Sequence, residues 1–204
     1  MRSWVASIAL AVAACAPRVA PVTAPRVAEG VPVTLLAPGH QRVVFRWHYD
    51  DPLFEARGEG VARVAAPDSV RLDFFADGGL GNGGAILIGD SLRTAAEDGR
   101  RYLPPVPLLW AALGVLRVPA TDTVVRRRGD TVWVEFDREY RAVVVGRQVV
   151  ELGRMDGGRW RDRVSIDSLQ VAYRQFRTSV RRRLTLTSLR RIPEGPFDAS
   201  IWLP

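Results

Sequence analysis

At 204 residues and 47% hydrophobic content, the chain is long enough to bury one good core, and a single domain is expected. Its net charge is +7, and every basic residue is arginine. Arginine clusters at 126–128, 159–163, 181–183 and 190–191 raise the question of nucleic acid, but they are spread among alternating strand patterns and the start of the chain points out of the cytoplasm, so no nucleic-acid partner is expected. Attraction to anionic lipid headgroups and a plain solvated sheet face both remain as readings of these arginines.

Met1 and Arg2 precede an apolar run over residues 4–14 that ends in small residues, the pattern of a secretory signal. The run closes on Val12-Ala13-Ala14-Cys15, and Cys15 is the only cysteine. This resembles the bacterial lipobox, whose cysteine receives a diacylglyceryl thioether and becomes an acylated N-terminus after cleavage. Residues 1–14 are then signal peptide, and the covalent lipid on Cys15 is the only non-protein group expected. Acyl chains contribute about 0.8 kcal/mol per buried CH₂, so two or three together anchor a protein stably. Ala16 follows Cys15 where aspartate would signal retention. By the sorting rule of Gram-negative lipoproteins, the protein is expected on the outer membrane, facing the periplasm.

Residues 15–40, rich in Pro, Val and Ala, read as the lipidated N-terminus and an extended tether, with a short docked segment around 33–36 as an option. From Arg42 the period becomes two: Val43, Phe45, Trp47 and Tyr49 share one face. Asp50-Asp51-Pro52 turns into a second strand over 58–64, where Gly58, Gly60 and Ala62 leave one face nearly bare, which allows close approach of a ligand or a strong bend. Val70, Leu72 and Phe74 mark a third strand, residues 85–88 a fourth and 91–94 a fifth. After residue 122 the pattern returns to hairpins, 123–127 with 131–136 and 141–145 with 148–154, then strands over 160–166, 170–176 and 180–188. Phe197 and Trp202 of the tail are expected to dock. Short strands with frequent turns and no sustained amphipathic helix predict an antiparallel β architecture filling residues 41–204.

One stretch departs from this pattern. Residues 102–119, YLPPVPLLWAALGVLRVP, contain an apolar run with almost no polar face, and Pro107 suits a first helical turn. A helix apolar all round is covered on every side or faces lipid. From 107 to 116 it falls short of the roughly 20 residues a bilayer span needs.

Gly79-Leu80-Gly81-Asn82-Gly83-Gly84 fits the dinucleotide pattern G-x-G-x-x-G. That motif works only where a helix N-terminus follows to receive the pyrophosphate, and Ala85 to Ile88 read as a strand. His40, His48 and one lipidated cysteine do not make a zinc site. There is no G-x-S-x-G elbow, and His48 has no partner evident in the sequence. No catalytic constellation is found, and the protein is not expected to be an enzyme.

With lipobox, tether, antiparallel strands and one apolar insertion, the sequence resembles the LolA/LolB superfamily of lipoprotein carriers, and more closely its LolB-like outer-membrane members. The resemblance covers residues 42–204. It is carried by Gly58-Glu59-Gly60-Val61-Ala62-Arg63-Val64, by Ala66-Pro67-Asp68-Ser69-Val70-Arg71-Leu72-Asp73, and by the apolar run from Leu103 to Gly114. It implies a mainly β fold with a small α component: a strongly curved antiparallel sheet, an unclosed barrel, capped by a short apolar helical segment over an acyl-chain cavity. On strand alternation, Val43, Phe45, Trp47, Val70, Leu72, Phe74, Leu109, Trp110 and Leu113 are the candidate cavity wall. In LolB the loop between the third and fourth strands projects an apolar residue into the membrane, and Leu80 takes that place here. The implied partners are an acylated lipoprotein or lipid cargo, a periplasmic LolA-like donor and the membrane, with the chain acting as a monomer. The family usually opens with a longer amphipathic helix; with Pro32, Pro38 and Gly39 in that region, it is expected to be short or absent here. A structural or sensory lipoprotein with the same sheet and a filled core is the rival reading.

Overall fold

The computed structural model describes residues 16–79, 81–119, 122–168, 170–176 and 181–203. Twelve strands are present among them: β1 (His40–Asp51), β2 (Phe54–Ala65), β3 (Ser69–Ala76), β4 (Asn82–Ile88), β5 (Ser91–Thr94), β6 (Val124–Arg128), β7 (Thr131–Phe136), β8 (Tyr140–Val145), β9 (Gln148–Asp156), β10 (Arg159–Ile166), β11 (Gln170–Phe176) and β12 (Arg181–Glu194). They form one antiparallel sheet in the order β5-β4-β3-β2-β1-β12-β11-β10-β9-β8-β7-β6. Two meanders are thus joined where the first and last strands pair, from His40 opposite Glu194 to Asp50 opposite Arg183. The sheet is curved and unclosed, with β5 and β6 as its edges.

Antiparallel neighbours put alternate turns at the same ends of the strands. The β1–β2, β3–β4, β7–β8 and β9–β10 turns therefore share one rim, together with the end of β5. The expected strands are all present, and β12 runs on to Glu194, several residues past its expected end.

The link from β5 to β6 carries the chain from one sheet edge to the other and holds the one α-helix among the described residues, the short α1 (Val106–Ala112). Pro107 sits in its first turn, where no amide is needed. The helix ends sooner than the apolar run because Gly114 takes a left-handed φ of 84°. Its N–H donates to the Ala111 carbonyl at 2.8 Å and that of Val115 to Trp110 at 2.9 Å, a Schellman stop.

Leu108 and Ala111 join Val132, Val134, Phe136, Leu152 and Val164 on the β6–β10 side. Leu109 and Trp110 join Phe45, Val70, Leu72, Ala85 and Leu87 on the β1–β4 side. A helix without a polar face is stable here because the curved sheet covers it from both flanks. Burying each leucine stabilises the fold by roughly 1.5–3 kcal/mol.

Residues 16–39, read from the sequence as a tether, lie extended along the sheet. Single bridges pair Arg18 with Arg159 and Arg26 with Arg126, which covers part of the β6 edge. Arginine side chains hold the strap's carbonyls: Arg141 Nη1 donates to Ala20 at 2.6 Å, Arg126 Nη1 to Ala24 at 3.1 Å and Arg159 Nη1 to Ala16 at 3.2 Å. Prolines suit a segment whose own amides go largely unused in a ladder. Farther on, Val27 and Val31 pack against one core and Leu36 joins the other. Thr34 Oγ1 accepts from the Leu116 N–H at 2.6 Å. Residues 33–36, the option for a docked segment, are thus one end of a much longer docked strap. Several of the arginines that suggested headgroup binding are occupied with holding it.

Phe197 meets His40 and Trp202 edge to face, and Arg71 Nη1 donates to the Ile201 carbonyl at 2.7 Å, so the tail docks beside β1 and β3.

Candidate functional site

Alternation along β1 turns Phe45 and Tyr49 into the buried face, and along β3 it turns Val70 and Leu72 the same way. Toward the rim that carries the β1–β2 and β3–β4 turns, this face is no longer filled. Glycine replaces larger residues on β4 there: Gly83, opposite Phe74, would meet nothing within 4 Å if it carried a Cβ. The result is an open hollow of about 500 Å³. Its walls are Trp47 and Tyr49 of β1, Phe54 and Ala56 of β2, Phe74 and Ala76 of β3, residues 81–85, Thr94, and Leu184 of β12. The 3₁₀ turn Glu97–Tyr102 and Leu103 close the side opposite β1.

The aromatic walls brace one another. Trp47 meets Phe74 edge to face at 5.9 Å, and Tyr49 meets Tyr102 at 5.4 Å. Their polar atoms are already bonded. The Trp47 indole donates to the Glu59 carbonyl at 2.9 Å, the Tyr49 phenol donates to Asp51 at 2.7 Å, and the Tyr102 oxygen accepts from Arg101 at 2.7 Å. Thr94 Oγ1 donates to the Ala96 carbonyl at 2.8 Å. Burial, with the hydrogen bond to Asp51, pushes the Tyr49 phenol up from its ordinary value, so it stays neutral. Such a lining offers an entering molecule hydrocarbon and ring faces and few free polar partners. Its size lies within the usual 300–1,000 Å³ or so of ligand pockets.

Of the nine residues proposed as cavity wall, Trp47 and Phe74 border the hollow. Phe45, Val70, Leu72, Leu109 and Trp110 are buried in the packed β1–β4 core, with Val43 and Leu113 against it. Trp110 is 0% exposed, its indole donates to the Gly89 carbonyl at 2.8 Å, and the Arg117 guanidinium lies 4.1 Å above its ring. The helix expected as a lid over a cavity is therefore a plug that fills the concavity, and the hollow lies beside it. The bare face at Gly60 is likewise taken by the chain itself. A Cβ there would fall 2.4 Å from Phe45 Cζ, so the Phe45 ring occupies the place offered to a ligand.

Sequence reasoning missed Tyr49, Phe54, Tyr102, Leu103 and Leu184 as wall residues. Tyr49 shares the alternation of Val43, Phe45 and Trp47, and Tyr102 and Leu103 open the apolar stretch, so both signals were present. Leu184 depends on the pairing of β1 with β12, which no local pattern reveals. Cys15 and Leu80 lie outside the described residues. The glycine pattern at 79–84 leads into strand β4, with no helix N-terminus to receive a pyrophosphate. His48 is exposed and lies 2.9 Å from Glu55.

Beside the β1–β2 turn the surface is apolar: Leu53 is 97% and Phe54 51% exposed. The described chain starts at the same rim, where Val19 N–H donates to the Gly158 carbonyl in the β9–β10 turn. Three strand spacings, about 15 Å along the sheet, separate β10 from β1.

The fold is that of an open, curved antiparallel sheet wrapped around one short helix, with an apolar hollow at one rim. Among solved structures it is similar to a LolA superfamily protein of Nitrosomonas europaea, with a TM-score of 0.50 at 8% identity over 81% of this chain and 90% of that one. A domain of Vibrio parahaemolyticus described as an outer membrane lipoprotein-sorting protein is also similar, with a TM-score of 0.45 at 5% identity over 81% of this chain and 89% of that one. At such identity the likeness is one of fold. No family model matches the chain, and no curated protein matches it in sequence.

Proposed function

We propose that this protein is an envelope lipoprotein of the LolB-like kind, anchored through an acylated Cys15, that takes acyl chains into the hollow beside Trp47 and Phe74 and passes them to the outer membrane. The observation that carries this reading is the apolar lining whose indole, phenol and hydroxyl groups all have hydrogen-bond partners within the chain. No covalent chemistry is required, because transfer follows relative affinity for the chains. The sharing of one rim by the hollow and the start of the described chain supports a mouth that faces the anchoring membrane. Leu80, which falls between β3 and β4 in the sequence, is the proposed insertion residue, and a LolA-like periplasmic protein is the proposed donor.

The test is native mass spectrometry of protein taken from its own envelope, beside an in vitro transfer assay. Bound acyl lipid, and loss of delivery with a normal melting curve in Leu80→Glu, are the expected results. An empty protein in every preparation would sink the reading.

One observation favours the rival, a structural or sensory lipoprotein: the space beneath Trp110 is filled. On that reading the hollow is an idle cleft, and filling it leaves function in the cell unchanged.

A further inference from the structure

We infer that the hollow holds one linear hydrocarbon chain at a time, so that the cargo engages through a single acyl chain and not through the bundled chains of a triacylated lipoprotein. This rests on the carrier reading and narrows its substrate.

The first support is volume. An open hollow of about 500 Å³ lies within the roughly 300–1,000 Å³ of pockets that take one small ligand, and three chains packed side by side require several times the space of one.

The second support is what occupies the rest of the concavity. Trp110 and Leu109 fill it under β1–β4, while Leu108 and Ala111, with Val27 and Val31 of the strap beside them, fill it under β6–β10. These are packed side chains, and displacing them means opening the core. Two further cavities among the described residues add no apolar space to the hollow. One lies between the strap and the sheet and is lined by Arg18, Arg128, Arg141 and Arg163. The other touches the hollow at Trp47, but Arg46, His48, Arg57, Glu59 and Asp77 around it suit no hydrocarbon.

The third support is the stiffness of the walls. Widening the hollow separates Tyr49 from Tyr102 and Trp47 from Phe74, and pulls on the 2.8 Å hydrogen bond from Arg182 Nη1 to the Arg101 carbonyl that ties the 3₁₀ turn to β12. A single flexible chain enters without any of these changes.

Lipid-stripped full-length protein is titrated separately with palmitate, a lysophospholipid, a diacyl phospholipid and a synthetic triacylated lipopeptide, each followed by tryptophan fluorescence and counted by native mass spectrometry. The expected result is one palmitate or one lysophospholipid per chain, with the triacylated lipopeptide at least about tenfold weaker. The stronger of the two single-chain ligands tells whether a free fatty acid or a lipid headgroup accompanies the chain. Binding of the triacylated lipopeptide as tight as that of the single-chain ligands overturns the one-chain inference and leaves the carrier reading standing. Binding of none of the four overturns both.

Discussion

The indole N–H of Trp110 donates to the Gly89 carbonyl at 2.8 Å and so ties the helix to the turn between β4 and β5. Trp110→Phe keeps most of the packing but leaves that carbonyl without its partner, at a cost of about 1–3 kcal/mol. Trp110→Ala adds a cavity and costs about 3–5 kcal/mol. Urea denaturation of both variants measures these losses. A helix that served only as a loose lid would show little change in either.

Gly83→Leu tests the hollow without touching the core. A Cβ at this β4 position meets open space, so the variant is expected to melt within about 2 °C of the parent, as for a position outside the core. Acyl-chain binding is expected to fall at least about tenfold because the added isobutyl group occupies the space. Isothermal titration with palmitate reads the loss.

Asp162 is a carboxylate with 0% exposure. It accepts from Arg154 Nε at 2.9 Å, the Tyr173 hydroxyl at 3.1 Å and Gln175 Nε2 at 3.2 Å. Asp162→Asn leaves Arg154 without its counter-charge on the inner side of the sheet, and a loss of about 3 kcal/mol is expected in chemical denaturation. The effect is one of stability, since none of these groups borders the hollow.

The Tyr49 phenol, which donates to Asp51, holds that carboxyl below its ordinary value, and the Leu53 and Phe54 N–H groups and nearby Arg182 act in the same direction. A carboxyl with a depressed folded value adds stability above its ordinary value and loses it as pH falls through the lowered one. The β1–β2 turn and the Tyr49 wall are therefore expected to hold from neutrality down to about pH 4 and to loosen below it. Amide protection factors at Leu53 and Phe54, taken relative to intrinsic exchange in neutral and acidic solution, follow the change, and Asp51→Asn removes the fall in protection with acid.

The strap depends on the arginines beneath it. In a double variant, Arg126→Met with Arg159→Met, which leaves the Arg141–Glu135 ion pair in place, the Ala24 and Ala16 carbonyls lose their donors, and about 1.5–3 kcal/mol of local hold is expected to go at each charged hydrogen bond. Hydrogen exchange and limited proteolysis over residues 16–26 should quicken, while the cores under β6–β10 keep their protection. Unchanged exchange over this segment would mean that its backbone bridges alone hold it.

Local pattern was enough for most of the architecture. Alternation placed Val43, Phe45, Trp47, Val70, Leu72 and Phe74 on inward-facing sides, because a strand's side chains reverse at every residue whatever it pairs with. Turn residues located the hairpins, and the absence of a polar face from residues 107–116 required a helix enclosed by protein. The fold class and the existence of that helix were thus settled by near neighbours in the chain.

Where space remains is a different kind of question, and only the tertiary structure decided it. Alternation says which face a residue takes; it does not say whether the volume before that face is occupied by another part of the chain. Val70 and Phe74 follow the same pattern on one strand, yet Val70 lies under Trp110 and Phe74 borders the hollow. The difference is made by partners far away in sequence: the Schellman stop that sets where α1 ends, the strap that brings Leu36 into the core, and Leu184 delivered by the pairing of β12 with β1. Packing is a sum over such distant contacts, so a hollow becomes visible only once every segment able to fill it has been placed.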